Sequence, residues 1–359
     1  MQAPKPNSTL VILTPGFPEN EAESVMIPTK QVFIRELNRL YPSLNIIILS
    51  FRLPLSTASY NWYQNTVIPF GDTKKGKATT LIKWIRVWKR LNQLTSQHKI
   101  IGIISFWCGE CALVGKYFGW YKNIKHYSWI SGQDARESNR LVKLIRPRAE
   151  ELVAMSDFLV GEFYRNHKIR PKHLIPNGID PSCFGMASNK RTIDVLGAGS
   201  LSTQKHYDVF IDIIAELTRY LPAINSKICG EGEEEERLKL LIERKQLQKN
   251  VALLGTTGHR ETLKLMQCAK VFIHTSSYEG FGAVCIEALH AGAHVISFCK
   301  PMEKEIEHWH FVKSKAEMVQ KTLELLRSPD TDYTPVTPYL MKDSARSFIN
   351  LFIAEKLTP

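Results

Sequence analysis

Two carboxylates eight residues apart, Glu279 and Glu287, are the residues of this sequence whose type and spacing most directly suggest chemistry. Glu279 lies in a polar loop before Gly280-Phe281-Gly282, and Glu287 lies between Ile286 and Ala288 in an apolar helical segment. A carboxylate inside a helix this apolar costs free energy unless hydrogen-bond donors satisfy it. The hydroxyls of a sugar or a ribose would be such donors. A helix N-terminus flanked by glycines also presents free N–H groups to anions.

The segment from Val271 to Phe298 predicts a strand, a loop, a helix and a second strand. With Glu279, Glu287 and the glycines, it resembles the Glu-x7-Glu signature of retaining, nucleotide-sugar-dependent glycosyltransferases of the GT-B fold, family four (glycosyl transferases group 1). The resemblance implies that Glu279 contacts the donor sugar and that Glu287 holds the ribose. It also implies that backbone around Gly280-Phe281-Gly282 approaches the donor. The alternative is an ordinary Rossmann turn with an incidental Glu.

A second motif follows the strand predicted at 192–196, where Gly197 to Lys205 resembles the family's Gly-Arg-Leu-x-x-x-Lys-Gly loop. The resemblance implies that Lys205 binds the diphosphate. Ser200 replaces the Arg, which removes a bidentate contact, and His206 replaces the final Gly. A solvated lysine at a helix start is the alternative for Lys205. By resemblance, Gly230 and the Leu254-Gly255 turn border the nucleobase.

The first half of the chain supplies weaker candidates. A strand at 9–14 runs into a Gly/Pro loop, and the resemblance implies that the backbone of Gly16 approaches the donor phosphate. Ser131 occupies the position where the family often has a His beside the reacting sugar. The hydrogen bond to the donor sugar is therefore left to Ser131, Asp134 or His126.

The length of 359 residues predicts two domains, at about 150 residues each. We predict an N-terminal acceptor-binding domain over 1–182 and a nucleotide-sugar-binding domain of five strands over 190–334, joined by a linker at 183–190. The fold class is α/β. The resemblance implies GT-B architecture: two Rossmann-like, doubly wound domains that face a central cleft, with the helix in 335–359 crossing back onto the first domain.

The formal net charge is +12, and eight Lys or Arg but no acid lie between Thr73 and Lys99. Helical spacing places Leu81, Trp84, Ile85, Trp88 and Leu91 on one face and Lys83, Arg86, Lys89 and Arg90 on the other. One interpretation is a helix packed on the sheet with a solvated basic face. The other is peripheral contact with an anionic membrane that carries a glycan or lipid-linked acceptor. We predict no nucleic-acid partner.

Seven scattered cysteines favour a reducing compartment. Cys108 and Cys111 could form a thioredoxin-type pair, but small buried residues at a helix start are the favoured interpretation. His308 and His310 lack the further ligands typical of a metal site, so no metal is predicted. The N-terminal MQAPKPNST lacks the form of a signal peptide, so we expect a cytoplasmic protein.

The resemblance implies a glycosyltransferase that moves a sugar from a UDP- or GDP-sugar to an acceptor hydroxyl with retention of configuration. The nucleotide sugar is a co-substrate, and no other cofactor is expected. Two alternatives remain at the level of sequence. One is a nucleotide-sugar epimerase of the same fold. The other is a non-catalytic sugar-nucleotide binder, suggested by Ser131 and Ser200.

Overall fold

The computed structural model describes residues 4–71, 76–185 and 190–353, and the chain divides into two compact units. Unit 1 comprises Met1–Asn177 and Met341–Pro359, and unit 2 comprises Gly178–Leu340. Both divisions fall a few residues from the limits expected from the sequence. Part of the expected linker (186–189), Lys74 and Lys75 of the basic run, and the end of the last helix lie outside the described residues.

Unit 1 contains an eight-stranded sheet in the order β3-β4-β2-β1-β5-β6-β7-β8, and only the β3–β4 pair is antiparallel. The strands are β1 (Ser8–Gly16), β2 (Asn45–Leu53), β3 (Tyr60–Trp62), β4 (Asn65–Pro69), β5 (Lys99–Phe106), β6 (His126–Trp129), β7 (Leu152–Ala154) and β8 (His173–Leu174). The hairpin of β3 and β4 was not predicted. The strand order reverses between β1 and β5, so the loops after these strands border the crevice at which doubly wound sheets bind ligands.

The helices of the first segment of unit 1 are α1 (Pro28–Leu40), α2 (Lys77–Gln97), α3 (Glu110–Lys122), α4 (Gly132–Ala135), α5 (Leu141–Ile145) and α6 (Asp157–His167). Helical spacing of apolar residues begins at Val25 in the sequence, whereas the structure starts α1 at Pro28. A proline fits the first helical turn because its fixed φ is helical and its missing N–H has no intrahelical acceptor.

Helix α2 corrects the predicted division into an apolar and a basic face. Leu91 is buried, but Leu81 and Ile85 are 56% and 48% exposed. Lys83 is not on a solvated face, because its side chain is only 15% exposed and its Nζ lies 3.8 Å from Oε2 of the buried Glu110. The sheet covers the C-terminal half of α2, through Leu91 and its buried neighbours, and leaves the N-terminal half uncovered.

Unit 2 contains a parallel six-stranded sheet in the order β11-β10-β9-β12-β13-β14. Its strands are β9 (Ile193–Ala198), β10 (Ser226–Cys229), β11 (Val251–Leu253), β12 (Ala269–His274), β13 (His294–Ser297) and β14 (Trp309–Phe311). Five strands were predicted, and the short edge strand β14 is the sixth. The strand order reverses between β9 and β12.

The helices of unit 2 are α7 (Tyr207–Leu217), α8 (Glu235–Arg244), α9 (His259–Gln267), α10 (Ala283–His290) and α11 (Lys315–Arg327). Both faces of the sheet are buried, because Val271 and Ile273 of β12 join one core cluster and Phe272 joins the other. This alternation is what a strand covered on both faces requires.

The last helix, α12 (Met341–Ile353), belongs to unit 1. The ring of Phe348 lies 5.3 Å from that of Phe33 in α1 and 4.6 Å from that of Trp129 in β6, measured between centroids. The prediction that the last helix crosses back onto the first domain is confirmed.

Candidate active site

The loops after β9 and β12, which flank the reversal of strand order in unit 2, bring together the two charged residues predicted to handle the donor. Lys205 Nζ lies 2.5 Å from Glu279 Oε2. The hydroxyl of Thr275, at the end of β12, donates to the carbonyl of Lys205 at 2.7 Å and joins the two loops. Both charged side chains are about a quarter exposed (25% and 23%), so a ligand can reach the pair.

A buried histidine also faces the carboxylate of Glu279. His274 is the last residue of β12, and its Nε2 lies 3.3 Å from Glu279 Oε2. Burial alone would raise the pKa of Glu279, but the contacts with His274 and Lys205 outweigh burial and hold the pKa below its ordinary value. Glu279 is therefore ionised at neutral pH. His274 was missed in the sequence, although a polar residue ending an apolar strand was a signal for it.

Glu287 lies within α10, as predicted, and is 8% exposed. Its Oε1 lies 2.8 Å from Nε2 of His259, the first residue of α9, so a protein side chain already satisfies one carboxylate oxygen. No sequence pattern pointed to His259. Helix α10 follows Gly282, whose φ of 74° lies in the left-handed region and explains the glycine at this position.

The residues expected beside the nucleobase are neighbours in the structure. The N–H of Gly230, after β10, donates to the carbonyl of Gly255, which follows Leu254, at 2.8 Å. A Cβ on Gly230 would overlap the carbonyl oxygen of Gly199, so this close approach requires glycine. Ser200, in the Arg position of the family motif, is exposed in the loop after β9.

Two of the predicted donor contacts have a packing role in the structure. Phe281 is 3% exposed, and its ring centroid lies 5.9 Å from that of Tyr339. Gly280 is buried beside it. Any contribution of Phe281 to donor binding is therefore through the position of the loop rather than through its ring.

In unit 1, Ser131 and Asp134 form a capping box at the short helix α4. Asp134 Oδ2 accepts from the N–H of Ser131 at 2.7 Å and from its hydroxyl at 3.1 Å. Asp134 is 6% exposed, and burial raises its pKa to about 6 against the hydrogen bonds that favour the carboxylate. A Cβ on Gly16, at the end of β1, would make only ordinary contacts at 3.5 Å, so no close approach requires this glycine.

The structure removes His126 from the alternatives for the donor-sugar contact. His126 is the first residue of β6, at the opposite end of the strand from Ser131. It is buried, and its Nε2 lies 2.8 Å from the hydroxyl of Ser105. At the other end of β6 lies a charged residue that the sequence analysis missed: Lys30 is buried, and its Nζ lies 2.8 Å from the ring centroid of Trp129. Burial lowers the pKa of Lys30.

No group of three or more His, Cys, Asp or Glu among residues 4–71, 76–185 and 190–353 is arranged to hold a metal ion. His294 Nδ1 lies 3.1 Å from His310 Nε2, and its Nε2 faces the carbonyl of Asp332 at 2.7 Å. The histidines near β14 therefore bond to each other and to backbone.

Residues 184–331 match the family model of glycosyl transferases group 1. The match contains the loops with Lys205 and Glu279, and helix α10 with Glu287. This part of the chain is similar to that family. The recognition made from the Glu-x7-Glu pattern is thereby confirmed, and the matched residues lie within unit 2.

The comparisons extend to one curated relative and two solved structures. The gpi3 subunit of phosphatidylinositol N-acetylglucosaminyltransferase from Schizosaccharomyces pombe is 25% identical over 239 residues, which are 65% of this chain and 52% of that protein. The match thus spans about half the length of that relative. The lipopolysaccharide outer core galactosyltransferase WaaB aligns with a TM-score of 0.68 at 12% identity, over 97% of this chain and 99% of that one.

The other structure is HepE from Anabaena in complex with UDP and glucose, with a TM-score of 0.62 at 16% identity, over 95% of this chain and 94% of that one. At these identities the two structures establish the fold. The fold of this chain is that of the GT-B glycosyltransferases, as predicted.

Proposed function

We propose that this protein transfers a sugar from a UDP- or GDP-sugar to an acceptor hydroxyl with retention of anomeric configuration. The observation that carries the proposal is the pair of Lys205 and Glu279, partly exposed at the reversal of strand order within a group 1 glycosyltransferase domain. A cation for the diphosphate and a carboxylate for sugar hydroxyls lie side by side where a doubly wound unit binds its ligand.

Each residue has a role in this reaction. Lys205 and the backbone N–H groups at the start of α10 stabilise the negative charge that develops on the departing diphosphate. Glu279 accepts hydrogen bonds from the donor sugar, and Glu287 accepts from the ribose. The bond between the anomeric carbon and the diphosphate oxygen breaks, and the acceptor oxygen bonds to that carbon on the same face. The acceptor proton leaves with the diphosphate.

The pairing of Lys205 with Glu279 fits this role, because His274 and Lys205 hold the pKa of Glu279 below its ordinary value before the donor arrives. When the diphosphate binds, Lys205 gains a second anionic partner. Glu279 remains beside His274 at 3.3 Å and stays available to sugar hydroxyls. The carboxylate of Glu279 is thus ionised before the donor binds.

We base the proposed class of acceptor on the names of two similar proteins. A phosphatidylinositol N-acetylglucosaminyltransferase subunit and a lipopolysaccharide galactosyltransferase both carry names that specify a lipid-linked acceptor. We therefore propose a glycan or lipid-linked acceptor, in glycolipid or polysaccharide biosynthesis.

The first test is a panel of nucleotide sugars in a thermal-shift assay, followed by NMR of the product formed with a glycan acceptor. The proposal expects one UDP- or GDP-sugar to stabilise the protein and the transferred sugar to keep its anomeric configuration. Conversion of the donor without acceptor would identify an epimerase. Binding without nucleotide release would identify a non-catalytic binder.

Calorimetry tests the ribose contact. Glu287→Ala should weaken binding of whichever of UDP and GDP the parent prefers by roughly tenfold, since a hydrogen bond to a charged group contributes about 1.5–3 kcal/mol. Glu216→Ala, which removes a carboxylate of α7 paired with Lys315 at 2.8 Å, is the control. Equal affinities of the parent and Glu287→Ala would refute the assignment.

A surface of unit 1 supports the proposed location. Leu81, Ile82 and Ile85 of α2 are 56%, 57% and 48% exposed. Trp120 and Tyr121 of α3 are 82% and 61% exposed. We call these five residues the apolar surface. Large side chains exposed in this number on neighbouring helices are typical of an interaction site.

Trp88 connects the two parts of the apolar surface, because it follows Ile85 on the same side of α2 and its ring centroid lies 5.9 Å from that of Tyr121. Arg86 and Lys89 are exposed on the same helix. Basic and apolar side chains therefore alternate on the uncovered half of α2.

Acidic residues are nearly missing from this part of the sequence. Glu110 is the only Asp or Glu between residues 73 and 133, and it is buried and paired. An apolar surface with aromatic residues and basic neighbours matches an anionic bilayer, in which Trp and Tyr favour the interface. No helix in the described parts of the chain could span a membrane. We propose peripheral attachment at the cytoplasmic membrane face.

Sedimentation with vesicles of neutral or of mixed neutral and anionic lipid tests the attachment. Arg86→Glu with Lys89→Glu should reduce binding to anionic vesicles, as each basic residue contributes about 1 kcal/mol. Ile82→Ser with Ile85→Ser should reduce it as well, while Leu240→Ser, at a 60% exposed position of unit 2, should not. Equal sedimentation of all variants would point to a soluble acceptor.

A further inference from the structure

Unit 1 has a crevice that corresponds to the donor crevice of unit 2, between the ends of β1 and β5, where its strand order reverses. Trp107 is the first residue after β5. Its backbone has φ 71°, which lies in the left-handed region. For a residue as bulky as tryptophan this conformation is a genuine outlier, and such residues persist only where the surrounding structure imposes them.

Hydrogen bonds on both sides hold the backbone of Trp107 in place. Its N–H donates to the carbonyl of Trp129 in β6 at 3.0 Å. The N–H of the next residue, Cys108, faces the carboxylate of Asp134. Asn139 Nδ2 donates to the carbonyls of Cys108 and Asp134 at 3.0 and 3.2 Å. These contacts tie the strained turn to the segment that begins at Ser131.

The indole of Trp107 is not fully packed against other side chains. It is half-buried, and its nearest ring is that of Phe106, edge-on at 6.3 Å between centroids. Within the described ranges its N–H has no hydrogen-bond partner. A Cβ built on Gly109, two residues further on, would meet nothing within 4 Å, so the space beside the turn is open.

We propose that Trp107 is a stacking platform for a pyranose ring of the acceptor sugar. The face of the indole is electron-rich, and the C–H groups on one side of a pyranose are its apolar, weakly positive complement. Asp134 and Lys30 are both buried, so neither offers an accessible charge to a diphosphate, which suits a neutral ligand. The identity of the ligand as an acceptor rests on the proposed function.

The strained turn explains why the ring is placed here. The carboxylate of Asp134 bonds Ser131 and faces the backbone N–H of Cys108 in the turn that carries Trp107, so it links the turn to Ser131. Asp134 is accordingly a positioning residue. A tryptophan held on a strained turn is pre-ordered for a sugar ring and loses little freedom when the sugar binds.

Saturation-transfer NMR with a panel of methyl pyranosides measures sugar binding without requiring turnover. The panel is applied to the parent and to Trp107→Phe, Trp107→Ala and Trp107→Gly. For the best sugar, the Ala and Gly variants should bind about tenfold more weakly, as for loss of one stacking partner. The Phe variant should stay within about threefold, because it keeps a ring face. Tyr164→Ala, which removes a 50% exposed aromatic ring of α6, should leave sugar binding unchanged.

Thermal unfolding of the same variants separates the effect of backbone strain at residue 107 from the effect of losing the indole ring. Ala and Gly both remove the indole, but only Gly relieves the left-handed backbone, so Trp107→Gly should melt about 2–4 °C above Trp107→Ala. Equal melting temperatures would show that the turn carries no strain and would overturn that part of the proposal.

The outcomes distinguish failure of this proposal from failure of the proposed function. If no methyl pyranoside binds the parent, or if sugar binding is the same in all Trp107 variants, the platform is refuted. If the parent binds sugars through Trp107 but releases no nucleotide from any donor, the platform stands and the transferase proposal fails. If Trp107→Ala weakens donor binding as much as acceptor binding, the indole belongs to the donor site.

Discussion

The two strand-order reversals of this molecule present opposite kinds of chemistry. In unit 2, Lys205 and Glu279 are partly exposed and paired at 2.5 Å. In unit 1, Asp134 is buried, and the half-exposed group is the indole of Trp107. The same topology thus offers fixed charges in one unit and an aromatic face with satisfied polar groups in the other.

This difference indicates a division of labour. A diphosphate needs a cation that stays accessible, whereas a neutral sugar gains from an apolar face and from donors that are already aligned. The two crevices share one backbone feature: in each, a residue other than glycine has a φ angle in the left-handed region. His206, with φ 50°, follows Lys205, and Trp107, with φ 71°, adjoins the turn held by Asp134.

The largest expected effect tests the charged crevice. Lys205→Ala should lower kcat/KM for sugar transfer by about 10²–10³-fold, as for removal of a group that stabilises developing charge. It should weaken binding of the nucleoside diphosphate far more than that of the free nucleoside, because the nucleoside carries no phosphate. Calorimetry with UDP and uridine, or with GDP and guanosine, measures this difference.

Lys270→Ala is the matched control, since Lys270 pairs with Asp194 at 2.8 Å in the same unit. It should leave both affinities unchanged. If Lys205→Ala reduces the affinities for nucleoside and diphosphate equally, Lys205 is structural and the phosphates are held elsewhere.

The next largest effect concerns the crevice of unit 1, where the buried Asp134 should make the stability of the protein depend on pH. The pKa of Asp134 is raised from 3.8 to about 6, chiefly by burial, so the folded protein binds this proton more tightly than the unfolded chain. The contribution of Asp134 to the free energy of unfolding is therefore largest below pH 4 and is lost as the pH rises to about 6. The loss amounts to about 3 kcal/mol.

Asp134→Asn removes this titration. The stability of the variant relative to the parent should rise between pH 4 and 6 and then level off, as measured by denaturant unfolding at several pH values. Asp343→Asn, on the exposed side of α12, should show no such rise. A difference between Asp134→Asn and the parent that is constant with pH would contradict the assignment.

The donor half of this arrangement could be predicted from the sequence because its signals are local. Glu279, Glu287 and the glycines lie within one short segment, and Lys205 follows a strand at a recognisable spacing. Alternation of apolar strands and helices gave the two doubly wound units for the same reason. The paired geometry of Lys205 and Glu279 needed the sheet order, which brings residues 74 positions apart to neighbouring strand ends.

Features that depend on long-range packing could not be predicted. Lys30 and Trp129 meet through the packing of α1 on β6, and His259 reaches Glu287 from another helix. The predicted apolar and basic faces of α2 were partly wrong, because helical periodicity does not show where the sheet stops covering the helix. The left-handed backbone of Trp107 also has no sequence signal, since glycine or asparagine is the usual marker of that conformation.

A smaller effect tests the strained backbone of the charged crevice. The family motif has glycine where this chain has His206, and the φ of 50° there explains that preference. His206→Gly should raise the free energy of unfolding by about 1 kcal/mol relative to His206→Ala, since both lose the side chain and only Gly relieves the strain. Both also lose the 3.2 Å contact of His206 Nε2 with the hydroxyl of Ser277. Denaturant unfolding measures the difference, and equal stabilities of the Gly and Ala variants would show that the backbone at residue 206 is not strained.

The smallest effect is expected at the two thiols beside Trp107. Cys108 and Cys111 are 0% and 1% exposed, and burial raises the pKa of both thiols well above the usual range. A redox or nucleophilic cysteine needs an accessible thiolate, and these side chains have neither access nor charge. Changing both residues to Ala should therefore leave transfer activity within about threefold, as expected of small packing residues. Assays with reductant and with mild peroxide should agree, because neither reagent reaches the thiols in the folded protein. Activity that follows the redox state in the parent and loses this dependence in the double variant would show instead that Cys108 and Cys111 are reactive thiols.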